Sequence, residues 1–598
     1  IMNKHILFSG ILTAATVLGA QSATPTFVEL SNLKDIISNG YCHGNAILVD
    51  VNNDGNFEIV GKGRDLNNSW QTDIFCVSGD GYSFTKNNML SDPDGCSWER
   101  VVVPIDYNCD GNVDLILASS WNAKLLINNG DGTFDANKGL VDGFALDGEI
   151  SIDGDDSEKW YSGLMAVADF NGDGYPDILT FCGDPRNDQG TPTIFINEKG
   201  SGKFTKKETT GLKAHRGGTL AVGDFNRDGL MDIAVSGWND DFGNDCIKVY
   251  KNNGDLTFTE VASDSFAKSK AGVEKGAIKF LDINNDGYLD LLVTGESCVN
   301  DWAKSAFLFK NVNGTDFVKI EAGLQGICKS GIDWCDLNGD GFVDFVYSGE
   351  SDKAITIISY NNGDGTFTLD STSIGGHRGG SIVELGDFNN NLVPDMLVMG
   401  YNDNGPHFQI YNSMQSRGVN TVPSAPVALS AKSEGDATIF TWEAGSDKET
   451  PAEALRYNFY AKLTDGQIIT LVPVDAVSGK LKQANVDASL TGTSYCLNVP
   501  LDKISEWGVQ SIDGGKATSQ FAMASTAGVE DMEQANASFV IDGNILTVSA
   551  DMEVEIFSVS GVSVMKSGLK SGESVSLDLE SGIYVVKTSS SVTKIVVK

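Results

Sequence analysis

Seven stretches of the chain place carboxylates and amides at fixed intervals around a tight turn. In six of them oxygen-bearing side chains stand at positions 1, 3, 5 and 9: Asp50, Asn52, Asp54 and Glu58; Asp106, Asn108, Asp110 and Asp114; Asp169, Asn171, Asp173 and Asp177; Asp224, Asn226, Asp228 and Asp232; Asp282, Asn284, Asp286 and Asp290; Asp336, Asn338, Asp340 and Asp344. The seventh, with Asp387, Asn389, Asn391 and Asp395, lacks the third carboxylate and carries Leu392 where the others have glycine at position 6. Oxygen donors at this spacing suit a hard cation that takes about six to eight oxygens at flexible geometry, and that cation is calcium. An EF-hand is excluded, because position 12 is Leu117, Thr180, Val235, Val293 or Tyr347 rather than a bidentate glutamate. The competing reading is of Asn/Asp turns without metal. It is strongest for the first loop, with Glu58 at position 9, and for the seventh.

These loops need rigid elements to hold them. After position 9 comes an apolar run, Asp232 to Gly237 or Asp290 to Gly295, that reads as a buried strand, so each loop joins two strands of a hairpin. The fourth unit parses into strands at 219–225, 231–237, 247–250 and 257–259, with a variable loop at 238–245. An Asn-Asn-Gly-Asp turn begins at Asn252 and recurs at Asn128 and Asn361. Successive first aspartates lie 56, 63, 55, 58, 54 and 51 residues apart, so seven four-stranded units of one size repeat. Such repetition predicts an all-β chain built as a seven-bladed β-propeller followed by two β-sandwich domains. The seventh unit runs out before its fourth strand, and Thr26-Phe27 near the N-terminus matches the missing pattern. The N-terminal strand is therefore expected to complete the last blade.

The units from residue 26 to about 413 resemble the FG-GAP, or integrin-alpha-like, repeat and its bacterial VCBS relatives. That resemblance implies the propeller fold and points functionally in several directions, since integrin heads, sugar-binding fungal lectins and rhamnogalacturonan lyases share it. Four segments follow: a secretory signal at 1–23, the propeller at 24–416, and domains at 423–526 and 536–598. The signal is read from Lys4, the apolar run from Ile6 to Ala20 and the small residues before Thr24. The third segment, with Trp442, the Tyr457–Tyr460 strand and Trp507, resembles a fibronectin type III domain, whose commonest role is that of a spacer. The fourth, with Ser560-Gly561, Ser581 to Tyr584 and a terminal Lys598, resembles the type IX secretion sorting domain of Bacteroidetes. That resemblance implies the type IX export machinery as a partner and a secreted or outer-surface location.

Composition narrows the rest. The 598 residues carry 43 basic and 81 acidic side chains, a net charge of -38, which repels phosphate backbones and excludes nucleic acid as a partner. Five scattered histidines form no zinc motif, and after the signal no stretch is apolar enough to span a membrane, so the mature protein is expected to have no transmembrane segment. The ten cysteines show no CxxC, and those in apolar strand patterns, Cys76 and Cys335, read as buried free thiols.

No GxSxG and no Cys/His pair stands out along the chain, so no catalytic residue is assigned. The strand order puts the metal loops and the Asn-Gly-Asp turns on one face. The other collects the variable segments with Trp121, Trp238, Trp302 and Tyr401, together with two His-Arg-Gly-Gly segments at His215, Arg216, His377 and Arg378. Variable aromatic and polar residues on a rigid ring make that face the expected ligand-binding one. The first expectation is a non-catalytic, calcium-stabilised binder of a glycan or protein. The alternative is a polysaccharide lyase or glycoside hydrolase using His215, Arg216, His377 and Arg378. The plainer account of those four residues is a pair of tight turns.

Overall fold

The computed structural model describes residues 25–30, 42–64, 70–77, 84–87, 99–119, 123–134, 165–182, 191–209, 211–213, 215–239, 244–402, 405–414, 420–525, 539–542, 545–548, 550–558, 563–577, 582–588 and 592–597. The expected signal at 1–23 and Trp121 lie outside them. Among these residues the structure is almost wholly β, and no helix is long and apolar enough to cross a membrane.

Residues 26–414 fold into seven antiparallel sheets, six of four strands and one, at Glu99–Leu126, of three. The fourth sheet runs Arg216–Gly223, Asp232–Asn239, Asn244–Asn252, Phe258–Glu260 in spatial as in chain order. Its second strand is apolar and buried on both sides. Ile233 and Val235 pack with Phe170 and Leu179 of the preceding sheet, while Ala234 packs with Phe280 and Leu291 of the following one. Alternation along a strand thus feeds two cores, which is what stacked sheets require. The strands overrun their expected limits. Trp238 and Tyr401 are not in variable loops but near the ends of Asp232–Asn239 and Asp395–Asn402. Arg216 and Arg378 are not in tight turns but open strands that begin with a register shift.

The last sheet closes as expected. Thr26–Glu29 pairs antiparallel with Gly405–Met414, Phe27 opposite Ser413 and Glu29 opposite Tyr411. The first strands of successive sheets touch in turn, and Cys42–Val49 meets both Glu99–Ile105 and Arg378–Gly386, so the series returns on itself.

In five of the seven sheets an asparagine ties the sheet to the one before it. Asn252 ends its strand, accepts a hydrogen bond from Gly254 N, and donates from Nδ2 to Phe170 O of the preceding sheet at 3.0 Å. Asn128, Asn197, Asn311 and Asn361 repeat the bond to Val51, Tyr107, Phe225 and Ile283 carbonyls at 2.7 to 2.9 Å. Each acceptor is the second residue of a metal-type loop. The loops are therefore mortared to the next sheet by buried bonds that side-chain truncation would leave unmade.

Among the described residues, those from 25 to 525 form one compact unit and those from 539 to 597 a second. Within the first, residues 427–525 make two further sheets of three and four strands around Phe440, Trp442, Phe459 and Trp507. This segment was expected to stand off as a spacer. Instead its core is continuous with Phe170, Leu179 and Tyr250 of the repeats, and it lies against their loop face, from Asp50 N on Lys482 O in the first sheet to Lys480 Nζ on Asn390 Oδ1 in the seventh. At Gly341 the approach is so close that an added Cβ would sit 2.0 Å from Glu449 O, and φ there is +87°. Free thiols include Cys335, which is fully buried; the side chain of Cys76 is outside the description. The second unit has sheets of three and four strands around Leu546, Val554, Ile556 and Val586.

Two outcomes follow from this packing. Asn252→Ala should lower unfolding free energy by about 2 kcal/mol, because a buried carbonyl loses its donor. Asn253→Ala, one residue on and exposed, should change it by less than about 0.5 kcal/mol, and equal effects in denaturant titrations would refute the tie. Phe27→Ala should cost about 2 kcal/mol, a partly buried ring lost from the closing strand's contact with Tyr360 and Tyr411. An unchanged stability would mean that the strand does not hold the ring.

Candidate metal centre and the opposite rim

All seven loops share one backbone shape. Positions 4 and 6 have positive φ throughout, at Asn53 and Gly55, Arg227 and Gly229, Asn390 and Leu392 among others. The seventh loop keeps the shape although Leu392, at φ +61°, lacks the freedom of glycine. The position-1 carboxylate straddles the turn: Asp106 accepts from Asp110 N at 3.1 Å and Gly111 N at 2.9 Å, and Asp336 from Asp340 N and Gly341 N at 3.2 and 2.8 Å. In the second, third, fifth and sixth loops the position-9 carboxylate accepts from the backbone of position 2 and of the tie asparagine, as Asp290 does from Ile283 N at 2.9 Å and Asn311 N at 2.6 Å. Asn171 Oδ1 at position 3 accepts from Asp173 N at 2.9 Å, and Asp173 Oδ1 at position 5 from Tyr175 N at 3.0 Å. Backbone amides thus fix the side chains at positions 1, 3 and 5 of these loops around the turn.

These bonds leave the charge uncompensated. Glu58, Asp114, Asp177, Asp232, Asp290 and Asp344 at position 9 are fully buried. Burial, reinforced by the other acids of its own loop, pushes Asp114 and Asp177 up to about 9 and Glu58 up to about 8. Burial and the acid at position 5 raise Asp106, Asp169 and Asp336 to about 7, and Asp224 and Asp282 to about 6. In the fourth loop ligand oxygens of Asp224, Asp228 and Asp232 lie within 4.8 Å of one another. There Asp232 Oδ2 is buried without a hydrogen-bond partner, and so is Asn226 Nδ2. A concentrated group of carboxylates containing an orphaned oxygen fits a hard divalent cation, whose charge would replace protons the site must otherwise hold.

Contacts from far along the chain reach these same oxygens. Tyr495 Oη donates to Asp169 Oδ2 at 3.1 Å, and Thr491 donates to Asp224 Oδ2 from its amide at 3.2 Å and its hydroxyl at 3.1 Å. Asn498 Nδ2 donates to Asn171 O at 2.7 Å. Separations of 267 and 326 residues hid Thr491 and Tyr495 from any reading of local spacing.

At the opposite ends of the strands the expected ligand residues fall into separate groups. Arg216 pairs in register with Trp238, and Arg378 with Tyr401, so each arginine shares a strand end with an aromatic residue. His215 and His377 beside them are 1% and 0% exposed. Burial lowers both imidazoles to about 4, so they are neutral and inward-facing. His215 Nδ1 lies 3.0 Å from Lys213 O, and its Nε2 is 3.3 Å from Cys246 Sγ, a pairing that the linear sequence conceals. His377 meets His407 edge to face at 6.2 Å. Two aromatic residues remain in reach of solvent: Trp302, 53% exposed with Lys275 Nζ 5.7 Å from its ring centre, and Tyr401, 37% exposed.

Residues 106–180, 169–235 and 336–398 match the FG-GAP-like repeat family. No curated protein matches the chain in sequence. Among solved structures, a lectin from Agrocybe aegerita described as recognising non-reducing terminal N-acetylglucosamine is 19% identical, with 56% of this chain and 80% of that one covered at a TM-score of 0.39. A fungal alcohol oxidase in complex with copper is 11% identical, covering 84% and 99% at 0.40. An α-L-arabinanase from Penicillium chrysogenum complexed with arabinobiose is 9% identical, covering 66% and 98% at 0.31. Three segments of the chain thus match FG-GAP-like repeats, and their strands belong to the series of repeating antiparallel sheets described above, the arrangement of a repeat β-propeller.

Proposed function

We propose that this is a seven-bladed, calcium-stabilised propeller that binds a glycan or protein ligand on the rim opposite its metal loops, without catalysis. Seven sheets whose first strands touch in a returning series support seven blades. Calcium is supported by the buried carboxylates and the orphaned Asp232 oxygen. The two-sheet segment at 423–526 is read as a fibronectin type III-like domain that clamps the loop face, and residues 536–598 as a type IX sorting domain. With the signal expected at 1–23, these readings support a location outside the cell or on its surface.

The observation that carries the binding reading is the asymmetry between the two faces. Thr491, Tyr495 and Asn498 occupy the loop side, whereas Trp302 and Tyr401 present aromatic surface on the other. Exposed aromatic side chains stack on sugar rings or anchor protein partners. Full-length protein should bind a member of a polysaccharide and surface-protein panel without releasing product. Trp302→Ala should weaken that binding about tenfold or more while leaving melting unchanged, as expected of an aromatic anchor. Product formation would establish the lyase or hydrolase alternative, and undiminished binding in the variant would move the site elsewhere.

The metal part is tested separately. Excess chelator should lower the melting temperature, since each site held at 100 times its dissociation constant adds about 2.7 kcal/mol to the folded state. Calcium should restore it, and a melting curve indifferent to both would contradict a structural role.

A further inference from the structure

The first strands of the seven sheets surround a channel of about 290 Å³. Its wall carries one aliphatic side chain from each sheet: Ile47, Val103, Val167, Leu220, Ile278, Ile332 and Ile382. Gln483, Asn485, Asp487 and Ala488 of the clamping segment lie across the loop end and make that end a floor. No described lining residue is aromatic, so the channel lacks the flat surface that stacks on sugars.

Charge gathers at that floor. Lys279 Nζ bonds Asp487 Oδ2 at 2.7 Å and lies 3.9 Å from Asp333 Oδ1. Lys516 Nζ is 2.9 Å from Asp333 Oδ2 and donates to Leu385 O at 3.0 Å. Burial opposes the charge on Lys279, but Asp487 and Asp333 push it above the ordinary lysine range. Both lysines are thus committed to aspartates. Arg456, 4.6 Å over the Trp334 ring, shares its charge among Asp487, Asp282 and Asp224. Glu384 lines the same cavity and has neither a hydrogen bond nor an ion pair among the described residues. Burial and Asp333 push its carboxyl up to about 8, against the pull of both lysines. Ser381, 1% exposed on the same wall, has a hydroxyl without a partner.

We propose that the channel binds a small aliphatic amine in its ammonium form, with the alkyl chain against the isoleucine, valine and leucine wall and the cationic head on Glu384. The walls offer apolar burial and no ring to stack on. At the floor Lys279, Lys516 and Arg456 are all engaged with aspartates, so Glu384 is left without a countercharge of its own and holds its proton; the group that would let it ionise is a cation on a thin apolar stem. This site differs from the aromatic rim and does not depend on a ligand being found there.

The test is calorimetric titration of the calcium-loaded full-length protein with n-butylammonium, and with 1-butanol as the neutral shape control. One saturable n-butylammonium site per chain is expected, with 1-butanol at least tenfold weaker. Glu384→Gln, which keeps the shape and removes the charge, should weaken n-butylammonium at least tenfold, whereas Asp131→Asn on an exposed turn should not. Ile382→Phe, which narrows the channel and keeps every charge, should weaken it too, and serves if Glu384→Gln fails to fold. Absence of saturable binding would overturn the proposal. So would binding that both channel variants retain and added salt abolishes, since that is attraction to the acidic surface alone.

Discussion

A carboxylate removed from water needs a countercharge, and this protein buries one or two in each of its repeating loops. The position-9 acid cannot simply be turned outward, because its two oxygens take the amides that fix the loop and end the third strand, as Asp344 takes Leu337 N and Asn361 N at 3.0 and 2.8 Å. The same Asn361 then holds Ile283 of the sheet before. In the second, third, fifth and sixth units loop shape, strand end and the tie between sheets therefore all hang on one buried acid. Neutralising it by a proton is possible, as the raised carboxyls show, but a divalent cation would do so for several acids together.

The clamping segment makes sense in that light. Tyr495 and Thr491 place hydroxyl donors on Asp169 and Asp224, so the segment adds partial compensation where the charge is densest. Position 6 is glycine in six of the seven loops, and with no side chain there a neighbouring backbone can approach Gly341 closely. What serves the loop also serves the docking. On the proposed reading this is a division of labour: one face holds the molecule together, and the other rim is the one proposed for recognition.

Much of this was legible along the chain because it is local. A spacing of donors around a glycine, an apolar run after position 9 and an unfinished last unit are each written within a dozen residues, and the loops, the strands and the closing Thr26–Glu29 strand follow them. What the chain hid is long-range. Cys246 is 31 residues from His215 and touches it only because two strands of one sheet bring them together. The histidines looked like surface candidates because their His-Arg-Gly-Gly segments fall on the face that collects the variable segments, yet both rings are buried. Packing also decided the role of 423–526: Trp442, Phe459 and Trp507 marked a core of its own, but nothing near them in sequence announced that this core would merge with Phe170 and Tyr250. The tie asparagines lay between these extremes. Asn128, Asn252 and Asn361 were visible as turn residues, while their bond to the preceding sheet was not.

The account rests on cations replacing protons in these loops, and the most direct measurement is a count of bound calcium. Protein stripped with chelator, then dialysed to equilibrium against calcium at neutral pH and analysed for metal, should hold several ions per chain. Replacing Asp232 with Asn should remove one of them while the other loops remain loaded. A stripped protein that takes up no calcium, yet keeps its fold and its melting temperature, would contradict the account, because the buried carboxylates would then be held by protons and hydrogen bonds alone.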